Sequence, residues 1–259
     1  MGATFEAAFS YAGQPGFPTV IGFFTEDRRH QALRLRESLL RFNLGHRLCL
    51  VPSVHSSITT RGDTQSWVNK PGFIGYWRGA LGQAVLYVDC DMVFCDLPRL
   101  FFEIHQARYD LAVFNWLSGE DNTTYFPASP SDAAPSGQSG MVAGFSIGFR
   151  SATQLIASGA VQYWGAGNVA TALLHLWLTT VLANPRCRDD HSLDFAHNNF
   201  KSSLALRRFW LPRAYCRYAW WPQVDPVINH PDIPAVNQAW AELLLPEGLS
   251  RYYEADLEA

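Results

Sequence analysis

Lysine is almost missing from this chain: of its 20 basic residues only Lys70 and Lys201 are lysines, and the rest are arginines. Charge of either sign is sparse. Charged residues make up 17% of the 259 positions against 48% hydrophobic ones, which excludes an extended, solvated chain and leaves ample material for a core. The net charge of −3 gives no overall basic field, so composition does not point to a polyanion partner. The five cysteines (Cys49, Cys90, Cys95, Cys187 and Cys216) are odd in number and lack the paired spacing of a zinc site. Several lie in apolar runs, where a thiol packs as a small hydrophobe, and the set reads as reduced rather than as a disulfide framework. A long uninterrupted apolar run is missing too. Residues 169–183 come nearest, but Thr171, His175, Thr179 and Thr180 interrupt them and they are too short to cross a bilayer, so they read as a buried helix. Residues 1–16 carry no basic stretch followed by an apolar one, so no secretory leader is expected. Reduced thiols without a membrane span lead to the expectation of a cytoplasmic location.

What the chain does have is residues 85–94, VLYVDCDMVF. An apolar run of this length fits a strand buried on both faces, as in the middle of a parallel sheet. Asp89 and Asp91 do not belong in such a place as ions, because burying an unpaired charge is costly. They are expected at the strand's open end, where a divalent cation or bound cationic groups compensate them. Side chains at i and i+2 of an extended segment point the same way, so both carboxylates can converge on one ion while Cys90 turns back to the core.

Residues 19–24 read as a strand that runs into Thr25-Glu26-Asp27 and then an amphipathic helix. Ala32, Leu35, Leu39 and Phe42 share one face, with Arg28, Arg34, Arg36 and Arg41 largely off it. Thr25 or Asp27 is the expected N-cap, and the arginines read as a solvated face. Ligands of open α/β sheets bind beyond the carboxyl ends of strands, so Thr25, Glu26 and Asp27 are candidates for the edge of a nucleotide pocket. A strand over 47–51 and a loop over 53–65 precede a helical segment over 67–81 that carries Lys70 and Arg78. A helix over 99–105 and a strand over 109–116 follow. The Gly/Ser/Pro/Asp-rich stretch over 117–140 reads as a lid, a binding loop or disorder. Residues 141–149 read as a strand in which Gly144 and Gly148 admit a ligand close to the backbone. Ser151 with Gln154 reads as a capping box opening a helix. Asp189-Asp190, just before a short helix, serve as natural N-caps, worth about 1 kcal/mol. Residues 205–222 interleave Arg207, Arg208, Arg213 and Arg217 with aromatics. They form either a strand–turn–strand pair that buries its rings or a surface that stacks bases or sugars. His230 follows directly on an apolar strand, and 235–245 read as a terminal helix.

The strand ending in Asp89-Cys90-Asp91, preceded by a helical segment with a Lys70-Pro71 start, resembles the GT-A class of nucleotide-sugar-dependent glycosyltransferases. More narrowly, it is similar to small bacterial and phage proteins with a nucleotide-diphospho-sugar transferase domain. The resemblance covers about residues 20–230 and is sharpest at the Asp-x-Asp block. It implies an α/β, Rossmann-like GT-A fold in a single domain, with a mainly parallel central sheet flanked by helices. Residues 19–116 would form the nucleotide-sugar-binding half, 117–233 the acceptor-side half and 234–259 a terminal helix and tail. The implied activity is a hexosyl- or pentosyltransferase moving a sugar from a nucleotide-diphosphate sugar, UDP-linked by analogy, to a hydroxyl acceptor. Asp89, Asp91 and, by its late position, His230 would hold Mn2+ or Mg2+, and oxygen ligands with one imidazole suit Mn2+. Lys70, Arg78, Cys90 and Gly144 would join Thr25, Glu26, Asp27 and Asp89 around the donor, although Lys70 and Arg78 read equally as ordinary helix charges. Asp189 or Asp190 would match the element that faces the sugar's reacting carbon, with the register open by one. The acceptor stays open among a bacterial glycan, a small molecule and, because of the Arg/aromatic stretch, a hydroxymethylated base in DNA. A phage-encoded protein would then work in the host cytoplasm.

Two other classes compete. In phosphatases of the haloacid dehalogenase type an apolar strand also ends in Asp-x-Asp, with Asp89 then the nucleophile and Asp189-Asp190 the later acidic pair. Against that, a full strand–helix–strand unit precedes Asp89, and no lysine lies between Lys70 and Lys201. The other is a non-catalytic nucleotide-sugar-binding module, which the presence of both acidic blocks argues against.

Overall fold

The computed structural model describes residues 5–52, 64–115, 140–142, 145–147, 155–184, 189–202, 205–218 and 224–231. Gly144, Trp220, Trp221, the stretch 117–139 and the terminal helix expected over 235–245 lie outside the described residues. In chain order the elements begin with β1 (Ala7–Tyr11), β2 (Thr19–Phe24), α1 (Arg29–Arg41), β3 (His46–Leu50) and α2 (Thr64–Leu81). Next come β4 (Val85–Val88), β5 (Val93–Phe94), α3 (Leu100–Gln106), β6 (Leu111–Asn115), and the paired β7 (Gly140–Val142) and β8 (Phe145–Ile147). β9 (Ala157–Trp164), α4 (Asn168–Ala183), α5 (Asp189–Asn198), β10 (Arg208–Trp210), β11 (Arg217–Tyr218) and β12 (Ile228–His230) complete the set.

Among the described residues seven strands form the main sheet, in the order β1-β3-β2-β4-β9-β6-β10. β2, β3, β4, β6 and β10 run one way, and β1 and β9 run against them. This is the α/β, mainly parallel arrangement expected from the sequence, but β1 adds an unexpected antiparallel edge, and the region 141–149, expected as one strand, holds β8 and most of its antiparallel partner β7. The capping box of Ser151 and Gln154 lies outside the described residues, but the segment after it is not helical: residues 157–164 form β9, wedged antiparallel between β4 and β6. Hydrogen-bonded neighbours on both sides set this segment as a strand.

Strand alternation divides the core in two. Leu86 and Val88 of β4, with Val20, Phe24, Ala112 and Phe114, pack against Leu35 and Leu39 of α1 and Phe101 and Ile104 of α3. Val85 and Tyr87, with Ile21, Leu111, Val113 and Trp164, pack against Phe73, Ile74 and Trp77 of α2, Leu173 and Trp177 of α4 and Leu193 of α5. The indoles of Trp164 and Trp177 stack there with centroids 5.6 Å apart. Gly22 lets β2 lie close to the end of β4: a Cβ on it would sit 2.7 Å from the Val88 carbonyl oxygen.

The apolar run over 85–94 is not one strand. It breaks at Asp89–Asp91, where the Met92 amide turns back to the Asp89 carbonyl (3.2 Å), and β5 leaves for a second sheet of order β11-β12-β5. β12 runs antiparallel to β5, with Ile228 opposite Phe94 and Asn229 opposite Val93. One step further in that register His230 falls beside Met92, and so next to Asp91.

Candidate functional site

Val85 and Tyr87 face α2, and Asp89 is the next residue in that alternation. The Tyr87 hydroxyl donates to Asp89 Oδ1 at 2.7 Å, and Lys70 Nζ approaches the same oxygen at 3.2 Å. Lys70 Nζ also makes a close ion pair with Asp189 Oδ2 and donates to the Gly159 carbonyl at 3.3 Å. It stands over the Tyr87 ring, 4.9 Å from the centroid. An ammonium has three N–H groups, and these three oxygens match them, so Lys70 has none left for a phosphate.

Burial sets the charge states. Lys70 is 7% exposed and Asp189 1%. Burial alone would lower the Lys70 pKa, but Asp189 and Asp89 outweigh it and hold the ammonium above its ordinary value. Burial raises Asp189, Lys70 pulls it back, and Asp190 and Asp89 push in the same direction as burial. Burial, with Asp89 adjacent, drives the Tyr87 phenol well above its usual range, so it stays a donor. The Cys90 thiol is pushed up to about 12 by burial and by Asp91 and Asp89, which makes it a thiol rather than a thiolate at neutral pH.

Asp189 and Asp190 occupy the first turn of α5, where carboxylates complement the helix dipole. The Trp177 indole donates to the Asp189 carbonyl (3.1 Å) and to Ser192 Oγ (2.9 Å), tying this turn to α4. Farther along, Asp194 Oδ1 accepts from the Ala157 amide (2.6 Å), and Asn198 pairs with both backbone groups of Leu155 (2.9 and 3.0 Å). Four helical residues rise about 6 Å and two strand residues about 6.6 Å, so α5 steps along β9 in register. One turn further towards the start of α5, Asp189 lies against Gly159. A Cβ on Gly159 would lie 3.2 Å from Asp189 Oδ2 and 3.4 Å from Lys70 Nζ.

Asp91 lines the same cleft but has a different partner. Residues 89–91 form a turn and not an extended segment, and Asp91 Oδ2 lies 3.3 Å from His230 Nε2. Cys90 packs against the α1-side core as expected and also lines the cleft, its Sγ 3.9 Å from Gln31 Oε1. Phe23, Arg28 and Gln31 join Lys70, Tyr87 and the acidic turn around a cleft of about 250 Å³ at the carboxyl edge of β2 and β4. Drug-sized ligands take roughly 300–1,000 Å³, so these side chains house part of such a molecule.

Asp89, Cys90, Asp91, Lys70, Asp189 and His230, spread over 160 positions of chain, are thus brought to one edge of the sheet. Asp190 is more open than Asp189, with its side chain 14% exposed, and its Oδ1 accepts from the His191 amide at 3.0 Å. Thr25, Glu26 and Asp27 follow β2 as expected but engage one another and their neighbours. Glu26 grips Arg29 through two bonds of 2.7 and 2.8 Å, and Asp27 accepts from Thr25 at 2.5 Å. Arg28 and Gln31 line the cleft in their place, and the expected side-chain N-cap does not form. Arg78 is elsewhere. It lies eight residues, about 12 Å, along α2 from Lys70 and donates to the Gly167 carbonyl (3.3 Å) and Thr171 Oγ1 (3.1 Å) at the far edge of the sheet. α2 begins at Thr64, so Lys70 and Pro71 lie inside the helix and do not start it.

Sequence reasoning missed Tyr87 and Gly159. The i, i+2 spacing from Asp89 would have given Tyr87; Gly159 was hidden because its strand reads as a helix. Several residues in the described part of the Arg/aromatic stretch make contacts within the fold, although Arg207 is exposed and most of the others are half-buried. Arg207 stacks over Tyr109 (5.3 Å), Phe209 meets the same ring edge-on (5.6 Å), Tyr215 accepts from the Leu100 amide (3.0 Å) and Arg217 donates to Asn229 (2.9 Å).

Among the described residues no three His, Cys, Asp or Glu side chains are grouped closely enough to hold a metal. Lys70 and Tyr87 hold Asp89, while Asp91 turns to His230. The Asp91–His230 pair has donor chemistry that fits a borderline-hard cation, one carboxylate and one imidazole. Among the described residues, Lys70, Arg28 and Arg34 are cations near the carboxylates of Asp89, Asp91, Asp189 and Asp190.

No protein-family model matches the chain, and no curated protein matches it. Solved structures do resemble it. A glycosyltransferase involved in the glycosylation of the major capsid of PBCV-1 aligns with a TM-score of 0.49 at 9% identity, over 88% of this chain and 98% of that one. The glycosyltransferase GlyE of Streptococcus pneumoniae TIGR4 aligns with 0.44 at 14% identity, over 92% and 64%. Mouse xyloside xylosyltransferase 1 aligns with 0.38 at 11% identity, over 83% and 97%. All three are glycosyltransferases. At such identities function has to be argued from side chains, because one fold hosts many chemistries.

Proposed function

We propose that this chain is a GT-A-type, metal-dependent glycosyltransferase that moves a sugar from a nucleotide-diphosphate donor, UDP-linked by resemblance, to a hydroxyl acceptor. The observation that carries the reading is the convergence of the Asp89–Asp91 turn, Lys70, Asp189 and His230 beside one cleft at the carboxyl edge of β2 and β4. Asp91 and His230, with Asp89 near them, are the side chains that would hold Mn2+ or Mg2+. Such an ion would supply Lewis-acid neutralisation of the departing diphosphate. Phe23, Arg28 and Gln31 supply an aromatic face, a cation and an amide for the nucleotide. Lys70 fixes Asp89 and Asp189 in place instead of contacting phosphate. Asp189 is sealed against Lys70, which leaves Asp190 as the carboxylate to orient the donor sugar or take the acceptor's proton.

A panel of nucleotide sugars, incubated with Mn2+ and with glycans, small alcohols, plain DNA or 5-hydroxymethylcytosine DNA, tests the reading by nucleoside diphosphate release and label transfer. Transfer to at least one acceptor, lost in D91N, is the expected result. No diphosphate from any donor overturns it. Hydroxymethylated DNA enters as one arm among several.

One observation favours a second reading. Lys70 reaches Asp89 from α2 and so provides, in space, the lysine that chain order denies to a phosphatase with Asp89 as nucleophile. Phosphate release from phosphomonoesters, with no nucleotide-sugar turnover, would decide for it.

A further inference from the structure

Among the described residues β5 is the outer strand of its sheet: one side pairs with β12, and no described strand pairs with the other. Backbone groups on such an edge need partners. Helix α1 provides them. Arg34 Nη2 donates to the Asp91 carbonyl at 3.3 Å. Ser38 Oγ accepts from the Phe94 amide at 3.1 Å and donates its own O–H to the Leu35 carbonyl at 2.7 Å. Arg41 Nη2 donates to the carbonyls of Phe94 (2.6 Å) and Cys95 (3.1 Å). With Gln31, which meets Cys90, these residues stand at spacings of three, four and three, a single stripe along the helix. The arginines that read as a solvated face therefore divide. Arg36 stacks over Phe9 of β1, 5.7 Å from its ring centre, while Arg34 and Arg41 serve the acidic turn.

We propose that Arg34, Ser38 and Arg41 are positioning residues, a stripe that binds backbone groups of Asp91, Phe94 and Cys95 along β5 and fixes Asp91 against His230. The inference rests on the cation site proposed above, and it adds a specific role for α1. Holding the Asp91 carbonyl together with Phe94 and Cys95 sets where the Asp91 carboxylate points, as outer partners of metal ligands do.

The test compares R34Q/R41Q with R36Q and with S38A, a smaller change that removes only the acceptor for the Phe94 amide. Mn2+ affinity is read by electron paramagnetic resonance and backbone order by hydrogen exchange over residues 91–95. In R34Q/R41Q the Mn2+ dissociation constant is expected to rise roughly tenfold to a hundredfold. The KM for the metal-loaded donor should rise with it while kcat changes little. Exchange over 91–95 should quicken, S38A should move the same way by less, and R36Q should match the parent. Unchanged Mn2+ affinity in R34Q/R41Q overturns the proposal. If the parent protein binds no Mn2+, the cation reading fails by itself and exchange decides the stripe. Faster exchange over 91–95 in R34Q/R41Q than in R36Q then supports it, and equal exchange overturns it.

Discussion

Replacing Lys70 by methionine removes one charge from the middle of the site and keeps most of the stem's volume. Lys70 faces Asp189 from a position 7% exposed, and Asp189 itself is 1% exposed. Removing one partner of a buried pair costs about 3–5 kcal/mol, because the charge left behind is neither hydrated nor matched. Net stabilities are about 5–15 kcal/mol, so the effect is large. It also has a fixed dependence on pH. Without Lys70, Asp189 feels only burial, Asp190 and Asp89, all of which raise its pKa. An acid whose folded pKa lies above its unfolded value carries no penalty below the unfolded value, and the penalty grows as pH rises towards the folded one. The stability gap between the parent and K70M is therefore widest near pH 8 and closes towards about pH 4. Urea unfolding across that range measures it. The double variant K70M/D189L, with both charges gone, should regain most of the loss near pH 8. Equal stability of K70M and the parent near pH 8, or a gap that ignores pH, refutes the reasoning.

Burial, against a hydrogen bond to Asn198, lowers His197 to about 4. Its Nδ1–H faces Asn198 Oδ1, and its Nε2 lies 3.3 Å from Arg208. Folding should thus lose about 3 kcal/mol as pH falls from 6.5 to about 4, a loss that acid unfolding of H197Q should show flattened. G159A presses a methyl on Asp189 and Lys70, and turnover should drop roughly tenfold or more for a stability cost of about 1 kcal/mol. A ten-degree fall in melting temperature with unchanged turnover would contradict that. R78M should lose about 1–3 kcal/mol by denaturant unfolding with no change in donor KM, since its bonds lie at the opposite edge of the sheet.

The parallel layers were legible because β2, β4 and β6 are near-continuous apolar runs and α1 carries a clean helical period. Asp89 and Asp91 stood out for the same reason: carboxylates at the tip of a buried strand need compensation. What the residues could not disclose was the turn between them. Alternation in an extended segment sends both carboxylates one way, whereas the switch of β5 to a second sheet sends Asp89 to Lys70 and Asp91 to His230. That switch depends on pairing with β12, more than 130 residues later, which no local pattern encodes. β9 was misread because a capping signal and small residues gave no strand period, and its order comes from two neighbouring strands. Arg34 and Arg41 looked like surface charges because their partners are backbone carbonyls far along the chain.

Titration of UDP into the protein, once with Mn2+ and once with EDTA, tests most directly whether the acidic turn needs a cation before it can take a diphosphate. Binding in Mn2+ that weakens at least about tenfold in EDTA, with the difference abolished in D89N/D91N, is the expected result. Equal UDP affinity in Mn2+ and EDTA, or an unaltered metal effect in D89N/D91N, would contradict it.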